Sequence, residues 1–290
     1  MFWNIIINLI FIFLLGGSSP AARLNPDFNL IALKPEAPRL ELDAPRGAVL
    51  AASGRFFLFA RNADEVQPIA SITKLMTALV FLENNPGWDQ VYKITPADEI
   101  EGGRWHLFRG EQLTIKDLFY TSLVASDNGA TIALVHASGL SEADFVARMN
   151  AEARRLGLAR TNFADPIGLS DRNVSTAREV AFLAQAALGI PEISEATTRS
   201  AYRFTTLDGR EKYIESTDYL LFDPAPETLE VLGGKTGYTE KAGYCFVGRL
   251  RDQGGREAIA VILNARGKNE RFREIKSLAN WAFNSYNWKR

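Results

Sequence analysis

Three groups of polar residues in this chain have the types and spacing that serine-based chemistry needs. Ser71 and Lys74 form an S-x-x-K pattern. Ser126-Asp127-Asn128 forms S-D-N, and Lys235-Thr236-Gly237 forms K-T-G. A spacing of three residues on a helix places the Ser71 hydroxyl and the Lys74 amine on one face, within reach of each other. This pair could therefore supply a nucleophile and its base.

The serine hydroxyl is a poor nucleophile until a base removes its proton, and Lys74 can be that base only when it is neutral. Burial and a second nearby cation both lower the pKa of a lysine. Lys235 would be that second cation if the fold brought it into the same cleft. At a helix N-terminus, Ser71 would also place developing negative charge near free backbone N–H groups.

Each motif alone also has an ordinary structural explanation, as a solvated pair on a helix or as turn chemistry before a strand. Gly234-Lys235-Thr236 resembles the end of a phosphate-binding loop, but Leu229 stands where that loop requires glycine. Neither His106 nor His136 lies in a motif, so a Ser-His-Asp triad is not expected. The occurrence of all three motifs in this order, across a helical region, favours the serine chemistry.

Periodicity and capping signals indicate the elements that must position these motifs. A helix should begin near Ala70, just before the S-x-x-K pair. Capping residues predict three helices in the middle of the chain, which begin after Thr114, Ser141 and Thr176. The last quarter predicts a hairpin, Tyr244–Leu250 with Ala258–Asn264, and a final helix from about Glu270. The order predicts an α+β chain in which strands enclose a helical insert.

The composition is that of a globular protein and argues against several function classes. Of the 290 residues, 47% are hydrophobic, and 33 Lys plus Arg against 34 Asp plus Glu leave a net charge of −1. This balance does not indicate a nucleic-acid partner. With two His and one Cys, a His-rich zinc site is not expected, and no metal or other cofactor is predicted. Cys245 lacks a partner for an intrachain disulfide and is expected in the core.

The N-terminal segment predicts export. Residues 1–22 carry no charged side chain, and the apolar run Ile5–Leu15 precedes small residues. Such a run is short for a membrane span and typical of a signal-peptide core, so this segment is predicted to be a signal peptide or an N-terminal anchor. The protein would then be periplasmic or otherwise extracytoplasmic, with membrane contact only through residues 2–15 if they are retained.

The rest of the chain is predicted to form a linker and one domain. Four prolines between residues 23 and 45 indicate an exposed, extended linker. Residues 46–290 would form the catalytic domain, with a helical subdomain inserted at about residues 83–200. No internal repeat and no low-complexity segment is found in the sequence.

In these three motifs and in their order, the sequence resembles the low-molecular-mass penicillin-binding proteins, which are serine-type D-alanyl-D-alanine carboxypeptidases. The resemblance covers about residues 40–290 and is most specific over residues 233–245. It also includes residues 68–76, Gly168-Leu169 and residues 175–179. It implies a central antiparallel sheet flanked by helices, with an all-helical subdomain.

The resemblance implies a covalent mechanism. Ser71 would be acylated by the penultimate D-Ala carbonyl of a peptidoglycan stem peptide, which would release the terminal D-Ala. Lys74 would be the base and Ser126 the proton relay. β-Lactam antibiotics would be covalent inhibitors.

The substrate-binding residues implied by the resemblance are Asn128, Lys235, Thr236, Gly237, Tyr238 and Arg271. Asn128 would contact the ligand amide. Lys235 and Thr236 would bind the substrate's terminal carboxylate, with Arg271 as a further carboxylate-binding residue. The backbone N–H groups of Ser71 and Tyr238 would form the oxyanion hole.

Two alternatives to a D,D-peptidase stay open at this point. A class A-like β-lactamase would need a glutamate in an E-x-x-L-N loop, and no glutamate between Asn128 and Lys235 has that context. A non-catalytic penicillin-binding sensor module would not need the functional residue types that are present. Departures from the family pattern are Asp127, which we expect to be a structural cap, Asp165 before Pro166, and Ser216-Thr217-Asp218 in place of Asn-Thr-Asn.

Overall fold

The computed structural model describes residues 31–100, 102, 105–222 and 229–288. Within these ranges the α-helices are α1 (Lys74–Glu83), α2 (Ile115–Val124), α3 (Asn128–Ala137), α4 (Glu142–Arg155), α5 (Ala177–Ala187), α6 (Pro191–Thr197) and α7 (Glu270–Ser285). The strands are β1 (Ala32–Leu33), β2 (Arg46–Ala51), β3 (Phe57–Arg61), β4 (Gln67–Pro68), β5 (Val91–Lys93), β6 (Gln112–Thr114), β7 (Val174–Ser175), β8 (Ala201–Thr205), β9 (Glu211–Glu215), β10 (Leu229–Thr239), β11 (Gly243–Asp252), β12 (Glu257–Ala265) and β13 (Tyr286–Asn287).

A five-stranded antiparallel sheet forms the centre of the fold, in the order β10-β11-β12-β2-β3. The hairpin predicted from the sequence is β11 and β12, in which Val247 pairs with Val261. Lys235 on β10 pairs with Val247 on β11. Among the described residues β10 has a strand partner on one side only, so it is an edge strand. The predicted central antiparallel sheet is confirmed.

Helices cover both faces of the sheet because successive side chains on its strands point to opposite sides. Along β11, Cys245 and Val247 point into a core shared with the helices that follow the first motif. Phe246 points into a second core, where α7 buries Ile275 and Phe283. Burying a side chain of this size contributes about 2 kcal/mol, so the final helix is held mainly by its apolar face.

The three predicted capping signals each begin a helix. The hydroxyl groups of Thr114, Ser141 and Thr176 accept hydrogen bonds from the backbone N–H three residues later, at the start of α2, α4 and α5. Caps of this kind contribute about 1 kcal/mol each. The region between α1 and α2 also contains the antiparallel pair β5–β6, because the chain there satisfies backbone groups by pairing with itself. The predicted insert is therefore not wholly helical, and its extent stays a prediction.

The end of the predicted linker packs against the last helix. Strand β1 pairs with β13, and Trp281 on α7 donates a hydrogen bond to the Pro38 carbonyl at 2.6 Å. Leu42 and Ala44 are buried in the core beside α7. Prolines prevent a long strand here, but the apolar side chains still gain by leaving water, so residues 31–45 are not exposed throughout.

The predicted signal peptide or anchor at residues 1–22 lies outside the described residues. None of the helices in the described ranges has the length and apolar character needed to cross a membrane.

Candidate active site

Ser71 lies in a 3₁₀ turn, Ala70–Thr73, which leads directly into α1. Two glycines pack closely against this turn, which we call the nucleophile turn because Ser71 is the predicted nucleophile. A Cβ on Gly168 would lie 2.2 Å from the Ala70 carbonyl oxygen, and a Cβ on Gly237 would lie 2.7 Å from the backbone oxygen just before the turn. Ala70 has a φ of +49°, a left-handed conformation that costs a non-glycine residue about 1–2 kcal/mol. The surrounding structure therefore holds the turn in a conformation it would not adopt alone.

Lys74 is completely buried at the first residue of α1, beside Ser71. Its Nζ lies 3.1 Å from Ser71 Oγ, 2.7 Å from Asn128 Oδ1 and 2.8 Å from the Ile167 carbonyl oxygen. A neutral amine has two N–H groups and one lone pair, and an amide or carbonyl oxygen can only accept. Asn128 and Ile167 would thus take both N–H groups, leaving the lone pair for the Ser71 hydroxyl. This geometry suits a general base.

The second and third motifs meet at the Lys235 amine. The ammonium of Lys235 donates to Ser126 Oγ at 2.7 Å and to the Thr236 carbonyl at 3.1 Å. The hydroxyl groups of Thr236 and Thr217 are hydrogen bonded at 2.6 Å. Ser126 has a φ of +58°, a left-handed conformation that is uncommon for a residue other than glycine. The fold therefore brings all three motifs together, as their spacing predicts.

Burial lowers the pKa of both lysines. The pKa of Lys74 falls from 10.5 to about 7, although the Asp127 and Asp165 carboxylates partly offset the effect of burial. Burial is also the largest cause for Lys235, and the positive charges of Lys74 and Arg271 lower its pKa further, well below its usual range. Lys74 can therefore lose its proton near neutral pH, as a base for Ser71 must.

An open cleft of about 670 Å³ lies over these groups. Six of the nine predicted site residues line it, namely Ser71, Ser126, Thr236, Gly237, Tyr238 and Arg271. The other three, Lys74, Asn128 and Lys235, are buried beside it. All nine predicted residues therefore belong to one site.

Arg271 and Tyr238, two of the predicted binding residues, differ in how deeply they are buried at this cleft. Arg271 is buried, and its Nη1 donates to the carbonyl oxygens of Gly237 at 3.2 Å and Cys245 at 3.3 Å. Tyr238 is half exposed and stacks on Tyr244, with 4.3 Å between the ring centroids. Arg271 thus places a positive charge behind the K-T-G strand, and Tyr238 forms part of the cleft rim.

The S-D-N motif is fixed by the loop that precedes α2. Asp127 caps α3 as expected, because its Oδ1 accepts from the Ala130 N–H at 2.8 Å. Its Oδ2 accepts from the His106 N–H at 3.1 Å and pairs with the His106 ring Nδ1 at 2.9 Å. The amide nitrogen of Asn128 donates to the Gly102 carbonyl at 3.1 Å. Both polar atoms of the Asn128 side chain therefore bond within the chain.

Sequence reasoning missed the loop that faces Lys74. The Asp165 carboxylate accepts three backbone hydrogen bonds, from Ile167 at 2.8 Å, Gly168 at 2.5 Å and Ser170 at 2.6 Å. This folding of the loop directs the Ile167 carbonyl toward the amine. A backbone carbonyl carries no residue-type signal, so only the matching glycine at 168 could have indicated that this loop belongs to the site. The hydroxyl of Thr217 was missed as well.

Comparison with known proteins gives relatives of one kind. The sequence profile described as D-alanyl-D-alanine carboxypeptidase matches residues 36–267. A D-alanyl-D-alanine endopeptidase of Haemophilus influenzae is 38% identical over 64% of this chain and 63% of its own length. The corresponding endopeptidase of Pseudomonas aeruginosa is 35% identical over 77% of this chain and 72% of its own. D-alanyl-D-alanine carboxypeptidase DacF of Bacillus subtilis is 31% identical, over 79% of this chain and 59% of its own. The chain therefore matches only part of the length of each relative.

Solved structures agree with these relatives. A Streptomyces DD-transpeptidase superposes with a TM-score of 0.77 at 25% identity, over 85% of this chain and 99% of its own. A penicillin-binding protein of Listeria monocytogenes in its cefotaxime-bound form has a TM-score of 0.73 at 33% identity, over the same shares of the two chains. The predicted α+β fold and the predicted family are both confirmed. With the profile covering most of the sequence and the three motifs assembled around one serine, this chain belongs to the D-alanyl-D-alanine carboxypeptidase family of serine peptidases.

Proposed function

We propose that this chain removes the terminal D-Ala from peptidoglycan stem peptides through an acyl-enzyme on Ser71. The single observation that carries the proposal is the contact between the Ser71 hydroxyl and the buried amine of Lys74, at a cleft that Thr236 lines and beside which Lys235 is buried. A nucleophile, its base and cationic groups for a terminal carboxylate are the groups that this hydrolysis needs.

The proposed acylation starts from neutral Lys74. Its lone pair takes the proton of the Ser71 hydroxyl while Oγ attacks the carbonyl carbon of the penultimate D-Ala. The backbone N–H groups of Ser71 and Tyr238 would stabilise the oxyanion of the tetrahedral intermediate. The C–N bond then breaks, and the proton that Lys74 took from Ser71 passes through Ser126, which is bonded to Lys235, to the departing D-Ala amine, so that Lys74 is neutral again. Water attacks the remaining ester, releases the shortened peptide and restores the serine.

Substrate binding would use the cationic side of the cleft. Lys235, Thr236 and Arg271 would hold the terminal carboxylate, since Thr236 lines the cleft, Lys235 is buried beside it on the same strand and Arg271 lies behind that strand. The absence of a side chain at Gly237 keeps the strand close to the nucleophile turn. Asn128 would orient Lys74 and contact the ligand amide.

The first test is the intact mass of the protein after benzylpenicillin is added, followed with time and mapped by digestion. We expect one adduct on the peptide that contains Ser71, and trimming of a stem peptide that ends in D-Ala-D-Ala. An adduct that disappears while the antibiotic is consumed would instead identify a β-lactamase. A protein that forms neither adduct nor product would be a non-catalytic module, and the proposal would be wrong.

The adduct is expected to outlast the incubation because the loop facing Lys74 offers no carboxylate to activate water. The carboxylate of Asp165 is already committed to three backbone N–H groups, and Ile167 presents a carbonyl to the amine. An acyl group released as fast as it forms would contradict this expectation, and the time course of the mass spectrum measures it.

Acylation should depend on pH through Lys74. The reactive form of this lysine is neutral, and burial lowers its pKa to about 7. The second-order rate constant for acylation by benzylpenicillin is therefore expected to fall as pH decreases below about 7, by roughly tenfold for each pH unit. Stopped-flow or mass-based acylation rates measure this limb. A rate that stays constant down to about pH 5 would show that Lys74 is not the base.

We extend the proposal to the cleavage of cross-linked stem peptides. Relatives of this chain are named both carboxypeptidases and endopeptidases, so cleavage of cross-linked stem peptides by the same acyl-enzyme should be assayed beside D-Ala release.

The proposed location of the protein is periplasmic or otherwise extracytoplasmic. An exported protein would meet this substrate, and the uncharged segment 1–22 supports that location.

A further inference from the structure

Asp218 is a buried carboxyl that the proposed mechanism does not use. Only 3% of its surface is exposed. Its Oδ1 accepts a hydrogen bond from the Leu220 N–H at 3.0 Å, whereas Oδ2 has no hydrogen-bond partner among the described residues. Leaving a buried polar group without a partner is destabilising, and more so when the group is charged. A function in the adjacent site would explain why a carboxyl is found here.

The carboxyl is fixed directly behind the wall of the cleft. Thr217, its neighbour in sequence, bonds to the Thr236 hydroxyl through its side chain and to the Val124 carbonyl at the end of α2 through its N–H. A Cβ on Gly234 would lie 2.9 Å from Asp218 Oδ2. The glycine before Lys235 therefore lets the carboxyl approach strand β10 where an alanine would be in its way.

The positive charges of Arg271 on α7 and Lys235 on β10 act on this carboxyl, and both favour its ionised form. Burial nevertheless prevails and raises the pKa of Asp218 to about 7. In turn, the carboxyl favours the charged forms of Lys235 and Arg271. Arg271 Nε is also buried without a hydrogen-bond partner among the described residues. The three groups are thus electrostatically coupled, and neither cation is within 4.0 Å of the carboxyl in a formed ion pair.

We propose that Asp218 is a positioning residue whose ionisation opposes binding of a ligand carboxylate at Lys235 and Arg271. The inference rests on the proposed function only in assigning those two cations to the carboxylate. In its neutral form Asp218 adds no charge behind the cleft. In its ionised form its negative charge repels the ligand carboxylate, and we expect this repulsion to exceed the gain from favouring the charged form of Lys235.

The sign of the pH dependence follows from linkage. A bound carboxylate brings a second negative charge near Asp218 and so raises its pKa, which means that binding is accompanied by proton uptake. Affinity for a carboxylate ligand therefore decreases as pH rises above about 7. If the coupling free energy between ligand binding and Asp218 ionisation is of ordinary size, the affinity decreases roughly 3- to 10-fold between about pH 6 and about pH 8.5.

The test compares Asp218→Asn with the wild-type protein by the second-order rate constant for acylation of Ser71. Benzylpenicillin is the carboxylate ligand, and its methyl ester is the matched probe with the charge removed. Both probes react with the same Lys74 and Lys235, so any change in the titration of those lysines would appear with the ester as well. With benzylpenicillin, we expect the ratio of variant to wild type to rise roughly 3- to 10-fold from about pH 6 to about pH 8.5. With the ester, the ratio should stay constant.

Two results would overturn the inference. One is a ratio that does not change with pH for benzylpenicillin, and the other is an equal change for the ester, which would mean a purely structural role. Asp89→Asn, at an exposed carboxyl outside the cleft, is the charge-matched control and should follow the wild type at every pH. If Asp218→Asn does not fold, Asp218→Ala removes the same charge and is measured in its place. Stem-peptide trimming is assayed separately, so its failure would refute the proposed function without changing these ratios.

Discussion

Replacing Lys74 with methionine is expected to lower the rate constant for acylation of Ser71 by benzylpenicillin by about 10³- to 10⁴-fold. The substitution keeps an unbranched side chain of similar length in the buried position but removes the lone pair that faces the Ser71 hydroxyl. Without a base, the attacking group is an un-ionised hydroxyl at every pH near neutrality. The acid limb of the pH profile should disappear together with the rate.

Loss of the base must be distinguished from loss of the fold. Methionine would leave Asn128 Oδ1 and the Ile167 carbonyl without their donor, at a cost of about 1–3 kcal/mol each in the free energy of unfolding. Thermal unfolding followed by circular dichroism measures that cost. Lys93→Met, at an exposed position on β5, is the matched control and should acylate like the wild type. Acylation of the Lys74 variant within about tenfold of the wild-type rate would refute the base assignment.

Replacing Gly168 with alanine should be the most damaging exchange of a glycine near the site. Gly168 has a φ of +90°, and its new Cβ would lie 2.2 Å from the Ala70 carbonyl oxygen. The left-handed conformation and the collision together are expected to lower the free energy of unfolding by about 2–5 kcal/mol. Displacement of the nucleophile turn should also slow acylation by about 10²-fold.

Gly110 provides the matched control for that exchange. Its φ is +87°, but a Cβ there would meet nothing within 4 Å. Gly110→Ala therefore measures the backbone conformation alone, with an expected loss of about 1–2 kcal/mol and an unchanged acylation rate. The two variants are compared by denaturant unfolding and by adduct formation. Equal losses of stability and activity in both would show that contact with the nucleophile turn is unimportant.

The sequence was most informative where one residue type has one structural use. Hydroxyl caps marked the starts of three helices because few other side chains accept a hydrogen bond from the first turn. The Ser71 and Lys74 pair was predictable for a similar reason, since a spacing of three on a helix fixes their proximity before any tertiary structure is known. The position of Lys235 beside Ser126 needed the family resemblance, because a contact between residues 109 positions apart depends on the whole sheet.

The features that the sequence did not predict are mostly the directions of backbone groups and the burial of side chains. The Ile167 carbonyl that faces Lys74 has no residue-type signature, and its direction depends on how Asp165 folds the loop. Asp218 was visible only as a departure from a pattern, because a side chain's charge state in the core depends on what surrounds it. The packing of residues 31–45 against α7 was obscured by their prolines, which indicate an extended chain but not whether that chain is covered.

The position of β10 at the edge of the sheet has a consequence for what else the cleft could bind. An edge strand presents unpaired backbone groups, to which an extended peptide can add as a further strand, and the same property makes exposed edges prone to aggregation. Ala125 and Ser126 also line the cleft that this edge borders. The cleft is therefore a place where one extended peptide could lie along β10, held by main-chain hydrogen bonds as well as by contacts with side chains.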